Sequence, residues 1–166
     1  MVGTPPYVDV SLTDVTETGA NVYISSTTDI TAFQFDLAVV RKNLGANTRA
    51  LILNSPANPT GAVTESEKML NLVQLVGGKA TIVSDEVYHG LVYQGRAHSI
   101  LEHSSEAIVV NGFSKLFAMT GWRLGYAIFP NELVNVVQKL QQNLFISAPD
   151  FAQFAAIAAL TDTEEE

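Results

Sequence analysis

Residues 107–129 read AIVVNGFSKLFAMTGWRLGYAIF, two apolar, β-branched runs joined by a glycine-containing link. Ala107–Val110 and Leu124–Phe129 each fit a strand. The link between them, residues 111–123, shows no amphipathic helical pattern. Parallel neighbours need a crossover of about a dozen residues or more, usually a helix. The second run is therefore expected to return antiparallel to the first. Such a return leaves Lys115 and Arg123 on the same edge of the sheet.

Working outward, Asn21–Ile24, Ala50–Leu53 and Ala80–Val83 also read as strands, several of the five apolar on both faces as in a covered parallel sheet. Helical patterns lie between them. In Thr64–Val76, Thr64 and Glu67 suit a capping box ahead of Met69, Leu70, Leu72 and Val73, and Gly77 and Gly78 stop the helix. Asp36 suits the cap of a helix that carries Leu37, Val40 and Leu44 and ends at Gly45. Asn131 suits the cap of another carrying Leu133, Val136, Val137 and Leu140. Pro149–Leu160, with Phe151, Phe154, Ile157 and Leu160 among alanines, is expected to be helical and buried. The alternation predicts an α/β fold: three layers, α/β/α, around a mostly parallel sheet with one antiparallel strand.

Composition narrows the functional classes. At roughly 150 residues per domain, 166 residues make one domain or the larger part of one. Nine Lys plus Arg against seventeen Asp plus Glu give a net charge of −8. That balance argues against nucleic acid, which is held largely by basic contacts to phosphate, and against a polybasic membrane anchor. A hydrophobic share of 47% with 16% charged residues suffices for a core, and without Cys no disulfide can form. No apolar run approaches the roughly 20 residues of a spanning helix, and Met1–Tyr7 lacks the features of a signal peptide. A cytoplasmic protein is the expectation. The Thr-rich stretch 11–31 gives no clear pattern, and residues 161–166 read as an acidic, solvated tail.

Ligands of open α/β sheets bind beyond the carboxyl ends of the strands. Those positions hold Asn54-Ser55-Pro56-Ala57-Asn58-Pro59-Thr60-Gly61, then Ser84-Asp85-Glu86-Val87-Tyr88, then Asn111-Gly112-Phe113-Ser114-Lys115. Topology thus gathers Asn58, Asp85, Tyr88, Lys115 and Arg123 at one rim. A partly desolvated Lys near another cation has a lowered pKa and becomes an amine able to form a Schiff base. Arg123 is such a cation and suits a phosphate. A carboxylate such as Asp85 can keep a pyridine nitrogen protonated, the electron-sink arrangement of a pyridoxal phosphate site. Asn58 and Tyr88 can donate hydrogen bonds to a phenolate oxygen. Plainer roles compete: a surface lysine, a helix-capping Asp85, a half-buried Tyr88, an Asn-Pro turn at Asn58 and a surface ion pair at Arg123. Trp122 reads as a packing residue, and His89, His98 and His103 have no metal-ligand spacing and are expected in surface loops.

These motifs resemble a known family. Residues 54–61 are similar to the Asn-Pro-x-Asn-Pro-Thr-Gly turn of class I and II aminotransferases, with Ser55 before Pro56, and Gly112–Gly125 is similar to that family's lysine signature along its whole length. The resemblance implies the large, pyridoxal-phosphate-binding domain of fold type I enzymes, covered here in part by residues 1–160, without the family's C-terminal small domain or N-terminal phosphate turn. It implies Lys115 as the Schiff-base lysine and proton carrier and Asp85 at the pyridine nitrogen. Asn58 and Tyr88 would contact the ring's 3-oxygen, and Arg123, helped by Ser114, the phosphate. It implies a cis Asn58–Pro59 peptide, an intervening strand from outside this chain between strands present in it, amino acid and 2-oxo acid substrates, a role in amino-acid metabolism and a homodimer. Carbon–sulfur lyases and synthases of the same superfamily share these residues. A non-catalytic, cofactor-binding sensor domain of a regulator is an alternative of a different class.

Overall fold

The computed structural model describes residues 21–24 and 35–162; the expectations for the Thr-rich opening and the acidic tail lie mostly outside them. Five strands, β1 (Asn21–Ile24), β2 (Thr48–Asn54), β3 (Thr81–Asp85), β4 (Ile108–Gly112) and β5 (Gly125–Ile128), form one sheet in the order β1-β2-β3-β4-β5. The first three pairings are parallel and the last is antiparallel, as the short 111–123 link requires. β1 hydrogen-bonds directly to β2; the intervening strand implied by the resemblance is one from outside this chain. Unpaired backbone groups on a strand take whatever partner the chain offers.

Among the described residues four α-helices accompany the sheet: α1 (Leu37–Asn43), α2 (Ser66–Val76), α3 (Asn131–Leu144) and α4 (Asp150–Thr161). Side chains alternate across a strand, and one set, Leu51 and Leu53 of β2, Ile82 of β3 and Val109 of β4, points into the main core with Met69, Leu72 and Val76 of α2. Phe35, Val40 and Ile100 complete that layer. The alternate set is less well covered. Ile52 and Val83 are half-buried and Val110 is exposed, so among the described residues one face of the sheet is buried more fully than the other. A smaller cluster joins Phe113 and Met119 to Ala156 of α4.

Several local expectations are corrected. Asp36 caps α1 as expected, accepting from the Ala38 N–H at 2.7 Å, and Gly77 ends α2 in the left-handed region at φ 52°. Thr64 and Glu67, however, form no capping box. Thr64 is buried with its N–H donated to Ser55 Oγ at 2.9 Å, and α2 starts two residues later after an uncapped Glu65. Extended Pro130 occupies the cap position of α3, so Asn131 is its first helical residue. In α4 the order of burial is inverted: Ala152 and Ala156 are buried, whereas Phe151, Phe154, Ile157 and Leu160 are 57–72% exposed. The small side chains permit the close approach to Phe113 and Met119, and the large ones lie around the remaining circumference.

These burials set the stability pattern. Leu72→Ala, which empties a site that is 0% exposed, should cost about 2–5 kcal/mol. Leu140→Ala, at 57% exposure on α3, should stay within about 0.5 kcal/mol. Urea denaturation of both variants checks the contrast.

Candidate active site

The carboxyl ends of β2 and β3 are stapled by one side chain. Asn54 Nδ2 donates to the Asp85 carbonyl at 3.1 Å, and the Asn54 Oδ1 accepts from the Asn58 N–H at 2.8 Å. The Ser55 N–H reaches the same Asp85 carbonyl at 3.1 Å. The turn closes through Gly61 N–H to Ala57 O at 2.8 Å and Ala57 N–H to Ala62 O at 2.9 Å. The Asn58–Pro59 peptide is cis, as the resemblance implies, and so is Ser55–Pro56. Asn58 is thereby carried, exposed, to the rim above Asp85.

The lysine segment is shaped by glycines. Gly112 and Gly125 face each other across the β4–β5 pairing. A Cβ on Gly125 would stand 3.0 Å from the Asn111 carbonyl oxygen, and one on Gly112 would stand 3.3 Å from that of Leu124. Only glycine lets the two backbones come so near. Beyond this pinch the chain folds back on itself, with Met119 N–H donating to Phe113 O at 3.1 Å and Ala118 N–H to Lys115 O at 3.1 Å. Thr120 Oγ1 donates to Ser114 O at 3.0 Å, and the Arg123 guanidinium to Thr120 O at 3.0 Å. Arg123 itself sits in the left-handed region, φ 53°, which places its exposed side chain back toward this loop.

A third contact joins the two halves. Gly90, at φ 92°, lies so close to Leu116 that a Cβ there would be 2.9 Å from Leu116 Cδ2. The turn after β3 is thus pressed onto the lysine loop. Lys115 Nζ stands 5.3 Å from the Tyr88 ring centroid, a cation–π contact, and Asn58 Nδ2 donates to the Tyr88 phenol oxygen at 3.3 Å. Asp85 Oδ1 accepts from the Val87 N–H at 3.2 Å, and Oδ2 has no hydrogen-bond partner among the described residues. Tyr88 therefore contacts both Asn58 and Lys115, and Ser114 and Arg123 are linked through Thr120. Asp85 and Arg123 share the edge but make no hydrogen bond or ion pair with Lys115 among the described residues.

Asn54, Thr120, Gly90 and Glu86 shape the site without having been singled out. The sequence signal for Asn54 is its position at the strand end four residues before Asn58. Glu86 is buried behind the rim, and its charge, after the larger effect of burial, holds the Tyr126 phenol above its usual pKa. The histidines lie in loops, yet partly buried rather than free. His103 Nε2 is 2.9 Å from Ser66 Oγ and His98 Nδ1 is 2.9 Å from Glu102 Oε2. Trp122 packs on Phe151 with ring centroids 5.8 Å apart and is 41% exposed.

The sequence of residues 7–166 matches the model of the family described as aminotransferase class I and II. The chain belongs to that family. It is 44% identical over 136 residues to the (5-formylfuran-3-yl)methyl phosphate transaminase of Methanocaldococcus jannaschii, covering 80% of this chain and 36% of that protein. A probable aspartate aminotransferase of the same organism is 38% identical over 140 residues, covering 80% of this chain and 37% of that one. Among solved structures, the aspartate aminotransferase of Thermotoga maritima superposes with a TM-score of 0.79 at 38% identity, over 87% of this chain and 39% of that one. The chain thus spans little more than a third of the length of the aminotransferases it matches.

The glycine pinch yields a test within this family member. Gly125→Ala should cost about 1–3 kcal/mol, because the new Cβ meets a backbone carbonyl that cannot swing away. Gly121→Ala, with nothing within 4 Å of its Cβ position and no positive φ, should be close to neutral. Thermal melts of the pair measure the difference.

Proposed function

We propose that this chain carries the cofactor-binding centre of a pyridoxal-phosphate-dependent aminotransferase acting on an amino acid and a 2-oxo acid. The observation that carries the reading is the contact set Asn58–Tyr88–Lys115 at the carboxyl edge of the sheet. The donor set fits the cofactor's chemistry: an amine for the aldehyde, hydrogen-bond donors for a phenolic oxygen, a carboxylate for a ring nitrogen and a guanidinium for a phosphate. Family membership and the relatives' names support it. On this reading residues 1–160 form part of the large domain, the protein works as a cytoplasmic homodimer, and it serves amino-acid metabolism. No helix among the described residues is long and apolar enough to cross a membrane.

Each residue then has a defined task. Lys115 Nζ would hold the cofactor's aldehyde carbon and would be the amine that takes up and returns a proton at the reacting carbon. Its place over the Tyr88 ring, pressed there by Gly90 and Leu116, shortens the search for that geometry. Asp85, with Oδ1 occupied by the Val87 N–H, offers Oδ2 to the ring nitrogen. Asn58 and Tyr88, already hydrogen-bonded to each other, present polar atoms to the 3-oxygen. Arg123 and Ser114, on the loop closed by Thr120, would hold the phosphate. When bound, pyridoxal phosphate supplies an electron sink for the charge that develops at the α-carbon.

An absorbance titration with pyridoxal phosphate tests the reading. The wild-type chain should develop a near-visible band that Lys115→Ala abolishes while keeping the same thermal melt. A folded wild-type chain with no such band, or a band that persists undiminished in Lys115→Ala, contradicts it.

A further inference from the structure

We propose that Glu86 is a positioning residue that sets Asp85 and Tyr88 against the cofactor; this rests on the reading of the site given above. Glu86 is 2% exposed, an unusual place for a carboxylate. Its Oε1 accepts three hydrogen bonds: from Ser84 Oγ at 2.9 Å, from Ser99 Oγ at 3.2 Å and from the Ile100 N–H at 3.0 Å. Oε2 lies 3.7 Å from His89 Nδ1, a buried nitrogen without a hydrogen-bond partner. The backbone of Glu86 is fixed as well, its N–H donating to Val110 O at 2.8 Å and its carbonyl accepting from the His89 N–H at 2.8 Å.

The geometry of an extended chain makes this anchor useful. Successive side chains leave opposite faces, so Ser84 and Glu86 turn into the core while Asp85, between them, turns to the other face. The buried carboxylate is tied to residues 99 and 100, thirteen and fourteen positions away, which hold no other part of the site. Glu86 therefore clamps the 85–89 turn to a second, independent segment. Asp85 stands immediately before the clamp and Tyr88 two residues after it. A buried acceptor with three donors is rigid, and losing it leaves those donors unsatisfied.

The test compares Glu86→Ala, Glu86→Gln and Ser99→Ala in the full chain. Amide hydrogen exchange at Val87 and His89, measured without cofactor, should accelerate at least tenfold in Glu86→Ala and by less in Ser99→Ala. Exchange in α2 should not change. Glu86→Gln keeps an acceptor oxygen in place and should stay near wild type. With pyridoxal phosphate, Glu86→Ala should weaken binding about tenfold and shift the pH at which the Lys115-dependent band titrates, because Asp85 and Tyr88 no longer stand in fixed places. Unchanged exchange at Val87 and His89 in both Glu86→Ala and Ser99→Ala overturns the clamp. Faster exchange with unchanged cofactor affinity and band titration overturns its role toward the cofactor. If the wild-type chain gives no band, the cofactor reading falls, and the exchange rates still decide the clamp.

Discussion

The close approach of Gly112 and Gly125 is the constraint on which the site depends. Their bare Cα atoms let β4 and β5 pair up to the sheet's carboxyl edge, and the thirteen-residue link is forced into a compact loop there. That loop carries Ser114 and Lys115 at its start and Arg123 at its end. Had the chain crossed over to a parallel strand instead, Arg123 would enter the next strand at the opposite edge. One antiparallel pairing in an otherwise parallel sheet thus decides whether a cation and an amine can share a ligand.

Around this pinch the remaining contacts act in series. Asn54 fixes the 54–61 turn to the Asp85 carbonyl, Glu86 fixes the following turn to residues 99 and 100, and Gly90 admits Leu116. The result holds the segments that carry Asn58, Tyr88 and Lys115 together through neighbouring residues, in addition to the contacts that Tyr88 makes with the other two. Those groups keep unused capacity: Asp85 has a free oxygen, and Lys115 and Arg123 are exposed. A set of polar atoms held by its supports and left unsaturated at its tips is what a ligand site needs.

The fold and the rim were legible because both follow from short-range signals. Short, apolar, β-branched runs give the five strands, and the length of the 111–123 link gives the antiparallel return. What escaped depends on partners remote in sequence. Thr64 has the composition of a helix cap, but Ser55 Oγ, nine residues upstream, claims its N–H. Phe151, Phe154, Ile157 and Leu160 have the hydrophobicity of a core, but only the alanine stripe of α4 meets Phe113 and Met119. Glu86 looks like any surface acid until its partners Ser99 and Ile100 fold over it. Hydrophobicity predicts that a residue can be buried and says nothing of which neighbour arrives.

On the proposed reading, folding selects one of five otherwise similar lysines, Lys42, Lys68, Lys79, Lys115 and Lys139, as the amine of the site. Reduction of the protein with borohydride in the presence of pyridoxal phosphate, followed by peptide mapping, tests this directly. The folded chain should carry a single pyridoxyl adduct on Lys115, and the chain in urea should be labelled at scattered lysines. Labelling spread over the five lysines in the folded chain, or concentrated on any other than Lys115, would contradict it.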